Sequence, residues 1–281
     1  MNDTSPGGGQ GDKADDRSPC GALCDTHAHL DAEQFAADLD DVLRRAREAG
    51  VATIVCPGIT AQSSAAAVAL ARDRAGVFAA VGIQPNYTAQ ARTDDWPQIV
   101  ALSLEPRVVA IGETGLDRHW DYSPMAVQRE SLDRHLRLAQ QRDLPVILHC
   151  REAEADMLPL LREAARRKPL RGVMHSFSGD WAVAEQCLAL GLQLSFSGPV
   201  TYANRKFDAI REVARRVPAD RFLVETDSPY LTPHPLRGKQ SRNEPAYVAW
   251  VVSKLAELRG GSAAEVASQT TANAQSLFRW T

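Results

Sequence analysis

Residues 145–148 read Pro-Val-Ile-Leu, and this short apolar run leads directly into a histidine, His149. A short run without polar alternation predicts a β-strand that is covered on both faces. Upstream, Ser123-Pro124 predicts an N-cap followed by a proline in the first turn of a helix that continues to about Ala139. The segment therefore predicts a helix and then a buried strand that ends in a polar side chain.

Seven further apolar runs repeat this arrangement, with starts 20 to 37 residues apart, at residues 22–24, 52–56, 77–81, 108–111, 172–174, 192–196 and 222–224. Helical patterns lie between them, for example over residues 35–49 with Gly50 as a stop signal. After the eighth run, a helix over residues 247–258 ends at Gly260-Gly261, and Ser262 with Glu265 forms a capping box. Eight buried strands alternating with helices predict the α/β class and a single (β/α)8 TIM-type barrel.

The rival architecture is an open, doubly wound sheet. It favours a glycine-rich phosphate loop after an early strand, and neither G-x-G-x-x-G nor G-x-x-x-x-G-K-[ST] occurs in the sequence. The run Gly7-Gly8-Gly9 has no strand before it. Residues 1–21, rich in Gly, Asp, Ser and Pro, predict a flexible N-terminal tail, and residues 22–281 predict one barrel domain.

Charge, apolar stretches and cysteine content exclude several classes of protein. The net charge of −3 and the pI near 6.2 exclude a generally basic nucleic-acid coating protein, although they allow a nuclease with a locally basic cleft. The longest apolar stretch, residues 65–71, falls far short of the ~20 residues of a membrane span. No signal-peptide pattern is present, and the five cysteines are an odd number without a CxxC pair. We therefore expect reduced thiols, a cytoplasmic location and no membrane association.

Polar side chains follow five of the predicted strands. In a barrel of parallel strands these positions converge on one mouth, where barrel enzymes carry their chemistry. Histidines two residues apart on an extended segment point to the same side and can share one ion. The six candidate metal ligands are His27, His29, Glu113, His149, His175 and Asp227.

Six ligands suffice for two divalent cations if one carboxylate bridges them, and Glu113 is the natural bridge. Imidazole with carboxylate suits Zn²⁺ or Mn²⁺ and tolerates Mg²⁺. Each residue alone has an ordinary structural explanation, as a hydrogen-bonded histidine or a capping carboxylate. Their joint occurrence at five strand ends favours a metal site.

The ordered series of motifs resembles the TatD family of metal-dependent hydrolases over about residues 22–280. The matching motifs are DTHAHL at 25–30, GETGLD at 112–117, PVILHCREA at 145–153, HSFSG at 175–179, SFSG at 195–198, ETDSPYL at 225–231, RGK at 237–239 and NEP at 243–245. The resemblance implies a barrel, a two-metal centre and ester hydrolysis, with several members acting as DNases. It also implies that His27, His29, Glu113 and Asp227 bind one ion, and that Glu113, His149 and His175 bind the other.

Two segments depart from the family pattern. Members commonly carry two histidines where this chain has Gln84 and Asn86, and the amide of Gln84 can bind a phosphate oxygen but carries no charge. An aromatic residue common in the family after residue 117 is replaced by Arg118-His119. Both departures bear on substrate preference rather than on the implied metal ligands.

We expect hydrolysis of a phosphodiester by a metal-activated water, with Asp227 as general base and Glu113 as the bridging carboxylate. Glu225 is expected to point away from the centre. The predicted substrate contacts are Arg151, Gln84, Ser197, Arg237 and Asn243, and a basic cluster of Arg237, Lys239 and Arg242 is a candidate track for a nucleic-acid backbone. Trp120, Tyr202 and Tyr230 are candidates for stacking on bases.

Single-stranded DNA is the expected substrate, with no obligate protein partner. One alternative is a barrel hydrolase for another ester or amide, such as the ester that links an amino acid to tRNA. Related barrels often bridge two metals with a modified lysine, and Glu113 in that place favours the phosphodiesterase. Another alternative is a non-catalytic nucleic-acid-binding scaffold, which the retained set of buried ligands disfavours.

Overall fold

Each of the eight apolar runs forms a β-strand in the computed structural model, which describes residues 22–280. The predicted N-terminal tail, residues 1–21, lies outside the described residues. The strands are β1 (Leu23–Asp25), β2 (Val51–Pro57), β3 (Val77–Val81), β4 (Val108–Asp117), β5 (Val146–Arg151), β6 (Gly172–Met174), β7 (Leu192–Phe196) and β8 (Phe222–Val224). The α-helices are α1 (Leu39–Glu48), α2 (Ala61–Asp73), α3 (Asp95–Leu102), α4 (Met125–Arg142), α5 (Glu154–Arg167), α6 (Trp181–Ala189), α7 (Asp208–Arg216), α8 (Val248–Arg259) and α9 (Ala263–Phe278).

The strands form one parallel sheet in sequence order, β1 to β8. Backbone hydrogen bonds beyond the strand ends join the last strand to the first. The amide of Thr26 donates to the carbonyl of Val224 at 3.2 Å, and the amide of His29 donates to that of Ser228 at 2.8 Å. The sheet therefore closes into the predicted (β/α)8 barrel, and the open doubly wound alternative is wrong.

Alternate residues of the strands pack on opposite sides of the sheet, as the two-residue period requires. One apolar cluster, which includes Val55, Ile147 and Leu223, fills the barrel interior. The end of α9 belongs to this cluster through Phe278, and the ring of Trp280 stacks on Phe78 at 5.4 Å. The larger cluster lies between the sheet and the helices. Apolar packing thus occupies the lower barrel and leaves the carboxyl ends of the strands to polar side chains.

Two predictions about α4 and β4 need correction. Ser123 does not cap α4, because its hydroxyl accepts from the amide of Ala89 at 3.0 Å and donates to the carbonyl of Asn86 at 3.2 Å. Pro124 occupies the N-cap position instead. The GETGLD segment is not a loop after a short strand, because β4 continues to Asp117. The polar segment is therefore held by sheet hydrogen bonding.

Glycine makes this longer β4 possible. Gly115 has φ +149°, and a Cβ there would overlap the carbonyl oxygen of His149 on β5. The pairing of β4 with β5 also shifts register between Ile111 and Thr114. Close approach of the two backbones in this region sets the distance between the side chains of Glu113 and His149.

Helix α8 begins and ends close to its predicted bounds, and α9 begins at the predicted capping box. Gly260 caps α8 with φ +68°, and the hydroxyl of Ser262 accepts from the amide of Glu265 in the predicted capping box. Across residues 22–280, no helix combines the length and the apolar character that crossing a bilayer requires.

Candidate metal centre

The structure brings all six predicted ligands together at the carboxyl end of the barrel. His27 and His29 follow β1, Glu113 lies in β4, His149 lies in β5, and the remaining two ligands, His175 and Asp227, follow β6 and β8. His27 is fully buried, and His29, Glu113 and His175 are at most 8% exposed. Residues far apart in the sequence therefore form one buried polar cluster.

The two oxygens of Glu113 face different pairs of imidazoles. Oε2 lies 3.2 Å from Nε2 of His27 and 3.7 Å from Nε2 of His29. Oε1 lies 3.0 Å from Nδ1 of His149 and 3.4 Å from Nε2 of His175. One carboxylate thus connects two separate groups of nitrogen atoms.

Within each group the potential ligand atoms lie close to one another. Nε2 of His27 is 3.3 Å from Nε2 of His29, and Oδ1 of Asp227 lies 3.7 and 3.5 Å from these two nitrogens. In the other group, Nδ1 of His149 lies 3.3 Å from Nε2 of His175. Two mutually facing pairs of ring nitrogens, beside two carboxylates, are the atoms that a divalent cation binds. The donor set therefore fits metal ions.

The tautomer of His29 suits this arrangement. Its Nδ1 lies 3.2 Å from the carbonyl oxygen of Pro57, an acceptor that requires the proton to be on Nδ1. The lone pair on Nε2 then faces Glu113 and Asp227. A backbone acceptor that orients a histidine in this way is typical of metal-binding imidazoles.

Asp117 orients His149 from the opposite side of the ring. Its Oδ2 lies 3.0 Å from Nε2 of His149 and accepts from Nδ2 of Asn86 at 3.1 Å. Burial alone would raise the pKa of Asp117, but the hydrogen bonds from His149, Asn86 and the amide of Trp120 lower it to about 2. The sequence reasoning gave Asp117 no role, although its position at the end of the GETGLD motif was a usable signal.

Glu225 performs a similar function for His175, which corrects the expectation that it points away. Its Oε1 lies 3.4 Å from Nδ1 of His175 and accepts from the amide of Ser176 at 2.5 Å. The chain leaves β8 after Val224, and Asp227 has φ +55°, so the two-residue period of a strand does not predict where these carboxylates point. Burial lowers the pKa of His175, but the carboxylates of Glu113 and Glu225 raise it well above its usual range.

Asp25 joins the two ends of the barrel sheet beneath the cluster. Its carboxylate accepts from the amide and the hydroxyl of Thr226, at 2.9 and 2.5 Å, and from the amide of His27 at 3.2 Å. Burial raises the pKa of Asp25 to about 8, against these hydrogen bonds. The DTHAHL motif includes Asp25, for which the sequence predicted no role; its function here is to hold the segment that carries His27.

A cleft of about 500 Å³ opens above the cluster. Its floor includes side chains of the candidate metal centre, and its walls are amides, aromatic rings and one aliphatic side chain. The wall residues are Ile59, Gln84, Asn86, Tyr87, Gln90, Trp120, Tyr122 and Tyr230. This lining, drawn from residues 22–280, includes neither lysine nor arginine.

The predicted substrate contacts separate into two groups around this cleft. Gln84 lines the cleft, and its Oε1 accepts from the amide of Asn86 at 2.8 Å. Arg151 lies outside the lining, exposed, with its guanidinium carbon 5.7 Å from the ring centre of Trp120. Within residues 22–280, no carboxylate pairs with that guanidinium.

The other three predicted contacts are not among the residues that line the cleft. Ser197 is buried, with its hydroxyl 2.7 Å from that of Ser176, and Arg237 lies over the ring of Tyr202 at 4.3 Å. Asn243 is fully buried and donates to the carbonyls of Thr226 and Tyr230 at 2.9 and 2.6 Å. Its Oδ1 accepts from the amide of Glu244 at 3.0 Å. The three hydrogen bonds of the Asn243 side chain hold protein segments in place. They leave no free atom of that side chain for a substrate.

One residue of the predicted basic track, Arg242, and one predicted stacking residue, Tyr202, need correction, whereas Arg237 and Lys239 are exposed. Arg242 forms ion pairs with Asp38 at 2.6 Å and with Glu244 at 3.0 Å. Tyr202 is 7% exposed and donates to the carbonyl of Thr232 at 3.0 Å. Both side chains are therefore engaged within the protein, in contrast to Trp120 and Tyr230 in the cleft wall.

Comparison with known proteins gives a consistent result. The family described as TatD related DNase matches residues 24–279. An uncharacterized metal-dependent hydrolase, YabD, from Bacillus subtilis is 43% identical, over 92% of this chain and 99% of its own. A protein named 3'-5' ssDNA/RNA exonuclease TatD from Erwinia amylovora is 37% identical, over 91% of this chain and 99% of its own.

Among solved structures, the TatD homologue YjjV from Escherichia coli superposes with a TM-score of 0.84 at 33% identity. The match covers 92% of this chain and 98% of that one. The family match, the sequence relatives and the barrel agree with the cluster of histidines and carboxylates at the barrel mouth. The chain therefore belongs to the TatD family and is a metal-dependent hydrolase of the TatD type.

Proposed function

We propose that this protein hydrolyses phosphodiester bonds at the 3' end of single-stranded nucleic acid, with single-stranded DNA as the main substrate. One observation carries the proposal. The two oxygens of Glu113 face two separate groups of histidines at the floor of an open cleft. A carboxylate that bridges two cations is the arrangement that phosphodiester hydrolysis by two metals uses.

Two divalent cations, Mg²⁺, Mn²⁺ or Zn²⁺, are the proposed cofactors. His27, His29 and Asp227 would hold one ion together with Oε2 of Glu113. His149 and His175 would hold the other together with Oε1. Such cations supply Lewis-acid activation of water and of the phosphoryl group.

The protein's own side chains have distinct tasks in the proposed reaction. Asp227 is the proposed general base, since its Oδ1 lies beside His29 and its side chain, 14% exposed, is open to the cleft. Gln84 is the proposed donor to a phosphate oxygen, because its amide lines the same cleft. Arg151, unpaired at the rim, is the proposed contact for a neighbouring phosphate.

The relatives support the choice of substrate. The protein from Erwinia amylovora carries the name of an exonuclease that acts on single-stranded DNA and RNA in the 3'-5' direction, and we propose the same polarity here. We also propose a cytoplasmic location without an obligate protein partner. The four cysteines within residues 22–280 support the location, since all of them are free thiols.

A cleavage assay tests the proposal. The protein is stripped with a chelator, then supplied with Mg²⁺, Mn²⁺ or Zn²⁺ and given a 5'-labelled single-stranded oligonucleotide. We expect a ladder that shortens from the 3' end, and a loss of at least ~100-fold in Glu113→Gln. Glu163→Gln, which removes an exposed carboxylate on α5, is the matched control and should retain wild-type activity.

Parallel substrates distinguish the other candidate reactions. Blunt duplex DNA, single-stranded RNA, a 3'-blocked oligonucleotide and an aminoacyl-tRNA are offered under the same conditions. Cleavage of the aminoacyl ester without cleavage of any phosphodiester would overturn the proposed substrate. Wild-type turnover in Asp227→Asn would overturn the role of Asp227 as base.

A further inference from the structure

The exposed aromatic side chains of the described chain gather in one place. Tyr87, Trp120, Tyr122 and Tyr230 are each between 36% and 58% exposed. All four line the cleft above the candidate metal centre. The other large hydrophobic side chains that are exposed within residues 22–280, Leu104 and Val127, are aliphatic and lie outside its lining. We refer to the four rings as the aromatic wall.

The aromatic wall is assembled from loops that follow different strands. Tyr87 follows β3, Trp120 and Tyr122 follow β4, and Tyr230 follows β8. Trp120 and Tyr122 stack in parallel, with ring centres 5.5 Å apart and 7° between their planes. The ring of Tyr230 meets the ring of His29 edge-on at 6.1 Å. A stacked pair and two further tyrosines therefore surround the floor of the cleft instead of packing in the core.

The side chains that line this cleft supply little positive charge for binding a nucleic-acid backbone. Its lining includes no cationic side chain apart from the histidines of the floor. Two arginines lie beside the aromatic wall but outside the lining of the cleft: the guanidinium of Arg151 is at the rim over Trp120, and Arg92 lines an adjacent pocket with Tyr87. A protein that holds a strand by its phosphates needs several lysines or arginines along the path. Apart from the proposed cations, the affinity that the protein's own side chains give in this cleft therefore comes chiefly from uncharged contacts.

Two amide side chains, Gln84 and Asn86, lie beside the aromatic wall in the lining of the cleft. Asn86 is 9% exposed, and its Oδ1 is buried without a hydrogen-bond partner, while its Nδ2 donates to Asp117. Gln84 lies next to it in the same lining, and its Oε1 is already occupied by the amide of Asn86. Aromatic faces with a few amide groups match the chemistry of unpaired nucleobases, which offer π-faces and polar edges.

We propose that the aromatic wall stacks the unpaired bases next to the scissile phosphodiester, so that the enzyme recognises its strand through bases more than through backbone charge. The inference rests on the proposed function, because it identifies what holds the substrate at that same site. It explains selection of single strands, since bases in a duplex have no free faces. It also predicts tolerance of base sequence, because every base has a π-face.

A binding measurement tests this directly. An oligo-dT labelled at its 5' end is titrated by fluorescence anisotropy in EDTA, beside an oligonucleotide of equal length whose last three 3' nucleotides are abasic. Both carry the same phosphate charge. We expect the abasic strand to bind at least ~5-fold more weakly. Between 50 and 200 mM salt, the affinity for oligo-dT should fall less than about 10-fold, as for one or two phosphate contacts.

Variants of the aromatic wall separate stacking from hydrogen bonding. Trp120→Ala and Tyr122→Ala should each raise the Kd for oligo-dT about fivefold or more, with no such effect on the abasic strand. Trp120→Phe and Tyr122→Phe keep a ring and should remain within about twofold of the wild type. Leu104→Ala is the control, because it truncates a side chain that is 63% exposed and lies outside the cleft.

The outcomes distinguish this inference from the proposed function. Equal affinity for the intact and abasic strands, or alanine variants with unchanged Kd, would overturn stacking while metal-dependent cleavage of single strands stands. A steep fall of the affinity for oligo-dT with salt would show that the protein binds the strand through its phosphates, and it would overturn the inference as well. Wild-type protein that neither binds nor cleaves oligo-dT would overturn both.

Discussion

The carboxylate of Asp117 lies 3.0 Å from Nε2 of His149, while Glu113 lies 3.0 Å from Nδ1 of the same ring. The imidazole is therefore held between two carboxylates, one in the candidate metal centre and one behind it. Asp117 is itself fixed by the amides of His119 and Trp120, at 2.8 and 3.1 Å. This chain of contacts connects the loop of the aromatic wall to the metal centre.

Replacing Asp117 by asparagine should weaken metal binding about 10- to 100-fold, because both carboxylate oxygens accept hydrogen bonds and asparagine has only one acceptor oxygen. Either His149 or the loop amides that fix residue 117 then face an NH2 group. The affinity is measured by calorimetric titration of the stripped protein with Zn²⁺ or Mn²⁺. Asp121→Asn, an exposed substitution four residues along the same loop, is the control and should bind as the wild type does. Unchanged affinity in Asp117→Asn would show that the contact does not position the ligand.

Gly115→Ala should lower the free energy of unfolding by roughly 3 kcal/mol or more, since the new Cβ would overlap the carbonyl oxygen of His149. Denaturant unfolding measures the change. Gly238→Ala is the matched control, because Gly238 has φ +79° but nothing within 4 Å of the added Cβ. It should cost only the strain of its backbone conformation, about 1 kcal/mol. Equal effects of the two substitutions would contradict the close approach of β4 to β5.

The fully buried His135 should make the protein sensitive to acid. Its Nε2 accepts from the amide of Ile83 at 3.0 Å, and its Nδ1 donates to the carbonyl of Ser131 at 2.7 Å, so the ring is neutral. Burial lowers its pKa from 6.5 to about 4. The unfolded chain takes up this proton first as the pH falls. The contribution of neutral His135 to the free energy of unfolding is therefore complete above about pH 6.5 and is lost as the pH falls through 4.

The loss between pH 7 and pH 4 should be roughly 3 kcal/mol for this group. Urea unfolding of the wild type and of His135→Gln is compared at several pH values. The difference between the two proteins isolates the contribution of His135 from those of the other titrating groups. NMR of the ring nitrogens provides a second measurement, in which His135 should stay neutral at pH 5. A protonated ring at pH 5 in the folded protein would contradict the prediction.

Asn243→Asp should destabilise the fold by roughly 3 kcal/mol, because it replaces the donor to the carbonyls of Thr226 and Tyr230 by a buried carboxylate. Thermal and denaturant unfolding measure the effect. Asn204→Asp is the control, since that exposed residue uses only its Oδ1, as acceptor from the amide of Lys206. A stable Asn243→Asp protein with weaker oligonucleotide binding would restore the role in substrate binding that the sequence predicted.

Local sequence patterns were sufficient to predict the barrel fold. The apolar runs predicted strands because a strand covered on both faces needs continuous apolar residues. The helical patterns between the runs predicted parallel pairing, since a helix that connects two neighbouring strands of a sheet makes them parallel. The mouth of the barrel collects the residues that follow its strands, so the six ligand candidates could be picked from their positions at strand ends. Asp117 and Glu225 occupied similar positions, but which ring nitrogen each one faces depends on distances across the barrel.

Short-range pattern thus determined the strands, the helices and the list of polar side chains at the strand ends, because each of these depends on neighbours in the chain. The number of strands predicted a closed barrel, although its closure is made by contacts between distant residues such as Thr26 and Val224. Only the tertiary structure decided that Asn243 and Arg242 bind other groups of the protein, and that the two oxygens of Glu113 face different pairs of histidines. It also decided that four aromatic rings from three loops line one cleft. These are relations between groups brought close by folding, and hydrogen bonding, ion pairing and stacking act only over a few ångströms.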